Sequence, residues 1–275
     1  MRIDFNIRKV FIISILAICI IAINLAVFFH ITSKPKKEEN IEENDTITID
    51  RSALTENFAK IFDNTIDYQE NNVNVDKKDD MQELIYTSYS NVEEVENKYK
   101  LNVNIPCLNI DSIAANSINT EINNLFYNKA NNILVNTNQY TVYTVKYKVY
   151  VNDNILSMII SATLKEGDNA QREIIKTYNY NLSSNEKLSI NEVLEYRNLS
   201  TDYVQSEILK TIRTASENAN IYNDLGYSKY IRDINDDIYI VKNTNVYFLG
   251  KGKALYIIYP YGNTNYTSEL DLLVL

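Results

Sequence analysis

The residue types that most often carry catalysis are scarce in this chain. Its 275 residues include one histidine, His30, and two cysteines, Cys19 and Cys107. A Ser–His–Asp or Cys–His arrangement needs an imidazole beside its nucleophile in a folded site, but His30 lies at the edge of a long apolar run. Zinc sites normally use histidine or several cysteines, and the sequence has no phosphate-binding glycine loop or GxSxG motif. We therefore expect no cofactor, no metal site and no catalytic residue.

If the chain is catalytic after all, paired carboxylates or a lysine-activated serine are the chemistry that remains. Asp236 with Asp237, and Glu166 with Asp168, occur in turn-like sequence. A glycosidase needs two carboxyl groups ~5–10 Å apart across a cleft, whereas acids in turns are usually solvated. An envelope carbohydrate hydrolase is therefore kept as an alternative function.

The tyrosines are the other candidates, since the chain has 22 of them and no tryptophan. A ring that carries a hydroxyl suits half-buried sheet faces and also binding surfaces. The tyrosines at positions 143, 147 and 178 alternate with aliphatic residues, which predicts core positions. Tyr259, Pro260 and Tyr261 precede Gly262 in a predicted turn, so we expect these three to bind a ligand or partner.

The amino terminus contains a stretch that is long enough to span a membrane. Val10 to Phe29 is uncharged, and as a helix its 20 residues would be about 30 Å long. Its length and the poor cleavage site after it favour an uncleaved signal anchor. Lysines and arginines flank it equally on both sides, so charge alone does not fix its orientation. We expect a short cytoplasmic tail (1–9), a transmembrane signal anchor (10–31) and an extracytoplasmic remainder at the cell membrane.

Charge divides the rest of the chain. The formal net charge is −9, and residues 32–97 alone carry 17 acidic and seven basic side chains. This composition predicts an acidic flexible stalk (32–97) that leads to a near-neutral folded domain (98–275). Within the stalk, Leu54, Phe58, Ala59 and Phe62 share one helical face, typical of a short amphipathic helix or a transient helix in a linker. A net acidic chain lacks the Lys/Arg surplus that nucleic-acid binding requires.

Residues 98–275 alternate between strand-like and helix-like patterns. Strands are predicted at 98–105, 140–151, 156–164 and 172–182, and the last three form a meander. Helical spacing covers 111–135, and Ser189 with Glu192 fits a capping box before a second helical region that begins near Ser200. Short strands follow at 246–249, 254–259 and 269–275. This order predicts an α+β fold, an antiparallel sheet with helices packed on one face, preceded by a single transmembrane helix.

Three short segments resemble a bacterial envelope domain family of unknown biochemical function. They are Ile105–Leu108 before a helix with Ile118–Ile122, the run Lys187–Leu194, and Leu255–Gly262. The family is shared by ectodomains of RsiV-type anti-sigma factors, which act as lysozyme receptors, and by a module of peptidoglycan deacetylases. The chain departs from both, because nine residues before the anchor cannot hold a sigma-binding segment and no deacetylase motif follows.

The resemblance and the predicted anchor together imply a function in the envelope. We expect a membrane-anchored, non-catalytic binding or sensor domain for a cell-envelope ligand, either lysozyme (or another muramidase) or peptidoglycan. A structural envelope component, which works through protein contacts alone, is the remaining alternative.

Overall fold

A computed structural model describes residues 58–69, 75–136, 138–262 and 269–275. The described strands are β1 (Ile66–Gln69), β2 (Ile85–Val95), β3 (Tyr99–Leu108), β4 (Thr141–Asn152), β5 (Ile155–Glu166), β6 (Arg172–Asn181), β7 (Glu186–Lys187), β8 (Tyr247–Leu249), β9 (Leu255–Tyr261) and β10 (Glu269–Val274). The described helices are α1 (Ile113–Ile122), α2 (Asn128–Asn136), α3 (Ile190–Tyr196) and α4 (Thr201–Asp224). A π-helical turn, Asn123–Tyr127, joins α1 to α2.

The meander predicted from the sequence is the centre of the larger sheet. β4 and β5 pair along their whole length, from Thr141 opposite Glu166 to Asn152 opposite Ile155. β5 then pairs antiparallel with β6, and the two-residue strand β7 extends the sheet beyond β6. The alternation of apolar and polar residues specified these strands because it places the apolar residues of each strand on one face.

The other side of β4 is shared by two strands that run parallel to it. β3 pairs with the first half of β4, up to Val103 opposite Val145, and β1 pairs with the second half, from Ile66 opposite Val149. β2 forms the edge, antiparallel to β3. The sheet is therefore mostly antiparallel and not wholly so, because pairing between distant segments is not encoded in local periodicity.

One face of this sheet packs against the α1–α2 segment. Four apolar residues at helical spacing in this segment, Ile122, Phe126, Ala130 and Ile133, are all buried against it. The tyrosines expected in the core, at positions 143, 147 and 178, are also buried here. This core confirms the predicted amphipathic helix and the inward face of the meander.

The opposite face is covered by a second sheet, in the order β10-β9-β8. The Phe248 ring stacks on Tyr150 of the large sheet and on Tyr256, with ring centroids 6.0 and 4.5 Å apart. The outer face of the second sheet packs against α3 and α4 through Val204, Ile208 and other apolar side chains. The prediction of helices on one face of one sheet is therefore wrong in this detail, since the helices lie outside two stacked sheets. The broader α+β assignment is confirmed.

Serine side chains set the starts of the helices. Ser189 accepts a hydrogen bond from the Glu192 N–H, and the Glu192 carboxylate accepts one from the Ser189 N–H, so the predicted capping box is confirmed. Ser200 caps α4 by accepting from the Tyr203 N–H, and Ser112 caps α1 by accepting from the Ala115 N–H.

The predicted boundary at Lys98 is too late. The segment assigned to the stalk contributes β1, β2 and the 3₁₀ turn Phe58–Lys60 to the folded body. Phe58 is buried between the two sheets and its ring lies 6.3 Å from that of Tyr256. Two residues of the predicted apolar face, Phe58 and Phe62, therefore pack on the domain itself, whereas Ala59 is exposed and Leu54 lies outside the described residues.

The predicted tail and anchor, residues 1–31, lie outside the described residues, as does the beginning of the predicted stalk. Within the part of the chain that the structure describes, no helix is both long enough and apolar enough to cross a membrane.

Candidate functional site

The three predicted contact residues lie in strand β9 and not in an exposed turn. Tyr259 and Tyr261 are buried, and only Pro260 is exposed. The strand continues because Tyr261 pairs with Glu269 of β10, and Pro260 is tolerated because β8 pairs with β9 no further than Ile257. The exposed turn on which we based the binding assignment is therefore absent at these positions.

Tyr261 instead belongs to a buried polar cluster centred on Arg232. The Arg232 guanidinium donates from Nε and Nη2 to the two carboxylate oxygens of Asp271, both at 2.9 Å. The Tyr261 hydroxyl also donates to Asp271, at 2.8 Å, and lies 2.8 Å from the Tyr239 hydroxyl. The guanidinium carbon is 4.9 Å from the Tyr261 ring centre, and the Tyr230 ring stacks on that of Tyr261.

Burial and charge act in the same direction on the pKa of Tyr261 and in opposite directions on the pKa of Arg232. Burial, together with the neighbouring Tyr239 hydroxyl and the Asp271 carboxylate, raises the pKa of Tyr261, so its hydroxyl stays protonated. Burial works against the charge of Arg232, but the hydrogen bonds and charge of Asp271 outweigh it and raise the pKa of the guanidinium. The cluster is therefore an ion pair of Arg232 and Asp271 with no net charge, to which the Tyr261 hydroxyl donates a further hydrogen bond.

The loop that follows α4 is folded back to place Arg232. The Asn223 side chain accepts from the Lys229 N–H at 2.7 Å and donates to the Lys229 carbonyl at 3.0 Å. The Ser216 hydroxyl donates to the Arg232 carbonyl at 3.1 Å. These bonds tie the loop to the helix along two turns, so the groove beside it is preformed.

A groove of about 380 Å³ runs between α4 and β10 over this cluster. It is lined by Ala215, Asn218, Ala219, Tyr222, Lys229, Arg232, Glu269, Leu270 and Asp271. Its charged groups pair with one another, since Glu269 lies 3.7 Å from the Lys229 amine and 3.4 Å from the Arg232 guanidinium. The floor is therefore polar and rigid, with its charges internally balanced.

Apolar and aromatic side chains stand exposed around the end of α4 beside this groove. We name them the α4-end surface: Ile221, Tyr222, Leu225, Tyr227 and Ile231, which are 50–68% exposed. The Tyr222 and Tyr227 rings meet edge to face with their centroids 6.1 Å apart. The sequence analysis missed this surface, although Ile221 and Leu225 fall off the buried stripe of α4 and could have signalled it.

Two of the four acids considered for catalysis, Glu166 and Asp236, have structural partners. Glu166 accepts from Lys129 and from Arg172, both at 2.6 Å, and these contacts, the Lys129 hydrogen bond first, lower its pKa. Asp236 accepts from the Ile238 N–H at the start of a 3₁₀ turn. A general acid must hold a proton at neutral pH, which the environment of Glu166 disfavours. Among the residues described, no cluster of three or more His, Cys, Asp or Glu side chains is arranged to hold a metal ion.

Comparison of the chain with protein-family models and with curated proteins gives no match. Among solved structures, it is similar to a DUF3298 family protein from Pseudomonas aeruginosa PAO1, with 13% identity, a TM-score of 0.39, and coverage of 69% of this chain and 86% of that one. It is also similar to a member of the DUF3298 family from Bacteroides fragilis NCTC 9343, with 12% identity, a TM-score of 0.37, and coverage of 70% and 87%. The resemblance to RsiV-type ectodomains and to the deacetylase module stays a prediction.

Proposed function

We propose that this chain is a membrane-anchored, extracytoplasmic binding domain that recognises a cell-envelope protein through the α4-end surface. The observation that carries the proposal is the set of exposed aromatic and aliphatic side chains beside a groove with a rigid charged floor. The charge-free stretch Val10–Phe29 supports the anchor, and the motif resemblance supports a place in the envelope.

Exposure of this kind has a cost that binding would remove. Each of the five side chains leaves apolar area in water, and burying such area stabilises a complex by about 25 cal/mol per Å² before the entropic costs of association. Contiguous exposed apolar residues typically mark contact sites, and tyrosine is enriched among the residues that dominate binding energy. Tyr222 and Tyr227 are therefore the principal contact residues in this proposal.

Charge around the surface favours a basic partner. Residues 213–240 carry five acidic and three basic side chains, and one of the basic ones, Arg232, is neutralised by Asp271 of β10. Such an acidic rim would increase the association rate of a cationic protein. High salt would reduce this increase, because it screens the attraction between the charges. Lysozyme or a related muramidase has this charge and is the partner that we propose.

The test uses the full-length chain in nanodiscs and lysozyme as the probe, with calorimetry as the measurement. The double variant Tyr222→Ser/Tyr227→Ser should weaken binding at least tenfold, since each truncated anchor residue commonly costs more than about 1 kcal/mol. Val92→Ser, which changes a still more exposed apolar residue on β2, is the control and should bind as the parent does. Equal affinity of the double variant and the parent, or no binding by the parent, would contradict the proposal.

A further inference from the structure

A second cleft lies on the face of the large sheet that β8–β10 cover only in part. It has a volume of about 260 Å³, small for a ligand pocket, and so fits a compact ligand unit such as one sugar ring. It is lined by Phe58, Ala59, Phe62, Thr144, Lys146, Ser161, Thr163, Glu173 and Leu270.

Three polar side chains in this cleft have no hydrogen-bonding or ionic partner among the described residues: Thr144, Lys146 and Thr163. Lys148, two residues further along the same face of β4, shows the contrast. Its amine is bonded to the Asp63 carboxylate at 3.1 Å and to the Thr65 hydroxyl at 2.7 Å. The Lys148 amine is thus bonded within the fold, whereas the polar groups of Thr144, Lys146 and Thr163 can bond to a ligand.

These side chains are neighbours across the strands. Thr144 is registered with Thr163, and Lys146 with Ser161, so each pair lies within about 5.5 Å. Thr163 is in turn registered with Glu173, whose carboxylate accepts from the Ser161 hydroxyl at 3.0 Å. The cleft therefore presents hydroxyl groups, one ammonium group and one carboxylate within a small area, with no net charge.

The opposite wall is apolar. The Phe58 and Phe62 rings meet edge to face with centroids 5.5 Å apart, and Phe62 is only half-buried. Leu270 of β10 closes one side. An apolar wall that faces clustered donors and acceptors matches a molecule with one apolar face and a rim of hydroxyl groups.

We propose that this cleft binds a neutral saccharide. A sugar ring would place its C–H face on Phe62 and its hydroxyl groups against Thr144, Lys146 and Thr163, which have no partner among the described residues. Glu173, whose carboxylate also accepts from Ser161, would be a further acceptor. An inorganic anion fits less well, because Glu173 offsets the charge of Lys146. The inference rests on the proposed function only for its location outside the membrane, and the two lining sets share only Leu270.

Saccharide binding is tested on the full chain in nanodiscs, with the trimer of N-acetylglucosamine and the trimer of glucose as probes. The parent should bind at least one trimer at millimolar concentration. Lys146→Ala and Thr163→Val should each weaken that binding, Lys146→Ala by about tenfold, as the loss of a hydrogen bond to a charged group does. Lys100→Ala, on the same sheet face but outside the cleft, should leave binding unchanged.

The outcomes separate this inference from the protein-binding proposal. Tyr222→Ser/Tyr227→Ser should weaken the binding of lysozyme and leave the binding of the saccharide unchanged. Lys146→Ala should weaken the binding of the saccharide and leave the binding of lysozyme unchanged. Thermal unfolding of each variant establishes that it is folded. If the parent binds neither trimer, or if Lys146→Ala and Thr163→Val both bind as the parent does, the saccharide site is refuted whatever the result with lysozyme.

Discussion

Arg232 and Asp271 form a two-pronged ion pair in which both side chains are almost fully buried, at 6% and 7% exposure. The pair joins the loop after α4 to strand β10 and so connects two segments that are 39 residues apart. Tyr261 donates to the same carboxylate and stacks against the guanidinium, which makes a three-residue unit behind the groove. The groove geometry therefore depends on this ion pair.

Asp271→Ala should destabilise the fold by about 3–5 kcal/mol, because it leaves the buried Arg232 charge with the 3.4 Å contact to Glu269 in place of its two-pronged pair. Urea denaturation of parent and variant measures the change. The double variant Arg232→Met/Asp271→Leu should recover most of the loss, since no unpaired charge remains. The exposed pair Lys100–Glu94 is the control, and Lys100→Ala should change stability by about 1 kcal/mol at most. A loss below about 1 kcal/mol in Asp271→Ala would contradict the role assigned to this pair.

Two fully buried tyrosines, Tyr180 and Tyr143, differ in the hydrogen-bond partners of their hydroxyl groups. We therefore expect their removal to change the stability of the fold in different ways. The Tyr180 hydroxyl lies 2.7 Å from the Ser112 hydroxyl and 3.2 Å from Asn185, whereas the Tyr143 hydroxyl has no partner among the described residues. Tyr180→Phe should therefore cost about 1 kcal/mol. Tyr143→Phe should be neutral or stabilising by up to about 1 kcal/mol, since it removes an unpaired buried polar group.

Thermal and chemical unfolding of both phenylalanine variants provides the measurement. Because the two side chains share the same chemistry and the same degree of burial, each variant is the control for the other. Destabilisation of Tyr143→Phe as large as that of Tyr180→Phe would show that the Tyr143 hydroxyl does make a bond.

Local patterns in the sequence predicted β4–β6, α1–α2 and the capping box, because each depends on residues that are close in the chain. The period-two alternation of β4, for example, reflects one face buried under α1–α2. The strand predicted at 98–105 ended before Pro106, whereas β3 continues to Leu108. It does so past a register shift between Thr87 and Tyr89 on β2.

Long-range pairing could not be predicted in the same way. β2 is an edge strand with exposed acidic residues such as Glu93 and Glu94, so its composition resembled a linker. β1 and β3 pair with β4 in parallel, and a second sheet stacks on the first. The segments that meet in these contacts are distant in sequence, and no local pattern indicates which of them pair. The candidate site was missed for this reason: it combines the end of α4, a loop and β10.

Glu166 should make stability depend on acid pH. Its hydrogen bond to Lys129 and the charges of Lys129 and Arg172 hold its pKa below the ordinary value of 4.5. A carboxyl whose folded pKa is lowered stabilises the fold above pH 4.5, and this contribution is lost as the pH falls through the folded pKa. Because the partners are partly exposed and solvent screens them, the contribution is about 1 kcal/mol at most.

Glu166→Gln should therefore be less stable than the parent at pH 7, and the difference should shrink as the pH falls well below the ordinary carboxyl value. Denaturation curves of Glu166→Gln and the parent, recorded in parallel at several pH values, measure it. A difference between Glu166→Gln and the parent that stays constant from neutral to acid pH would show that the effect is not electrostatic.

Phe58 tests whether the folded body begins before Lys98. Its ring is buried between the two sheets beside Tyr256 and Phe62, so Phe58→Ala should destabilise the fold by about 3 kcal/mol, as large-to-small changes in a core do. Met81→Ala, from the same predicted stalk but 90% exposed, should change stability by no more than about 0.5 kcal/mol. Urea denaturation of the two variants in parallel decides between a structural segment and a linker. If Phe58→Ala lowers the free energy of unfolding as little as Met81→Ala does, residues 58–62 belong to a flexible stalk, because a side chain in a solvated linker makes no buried contact.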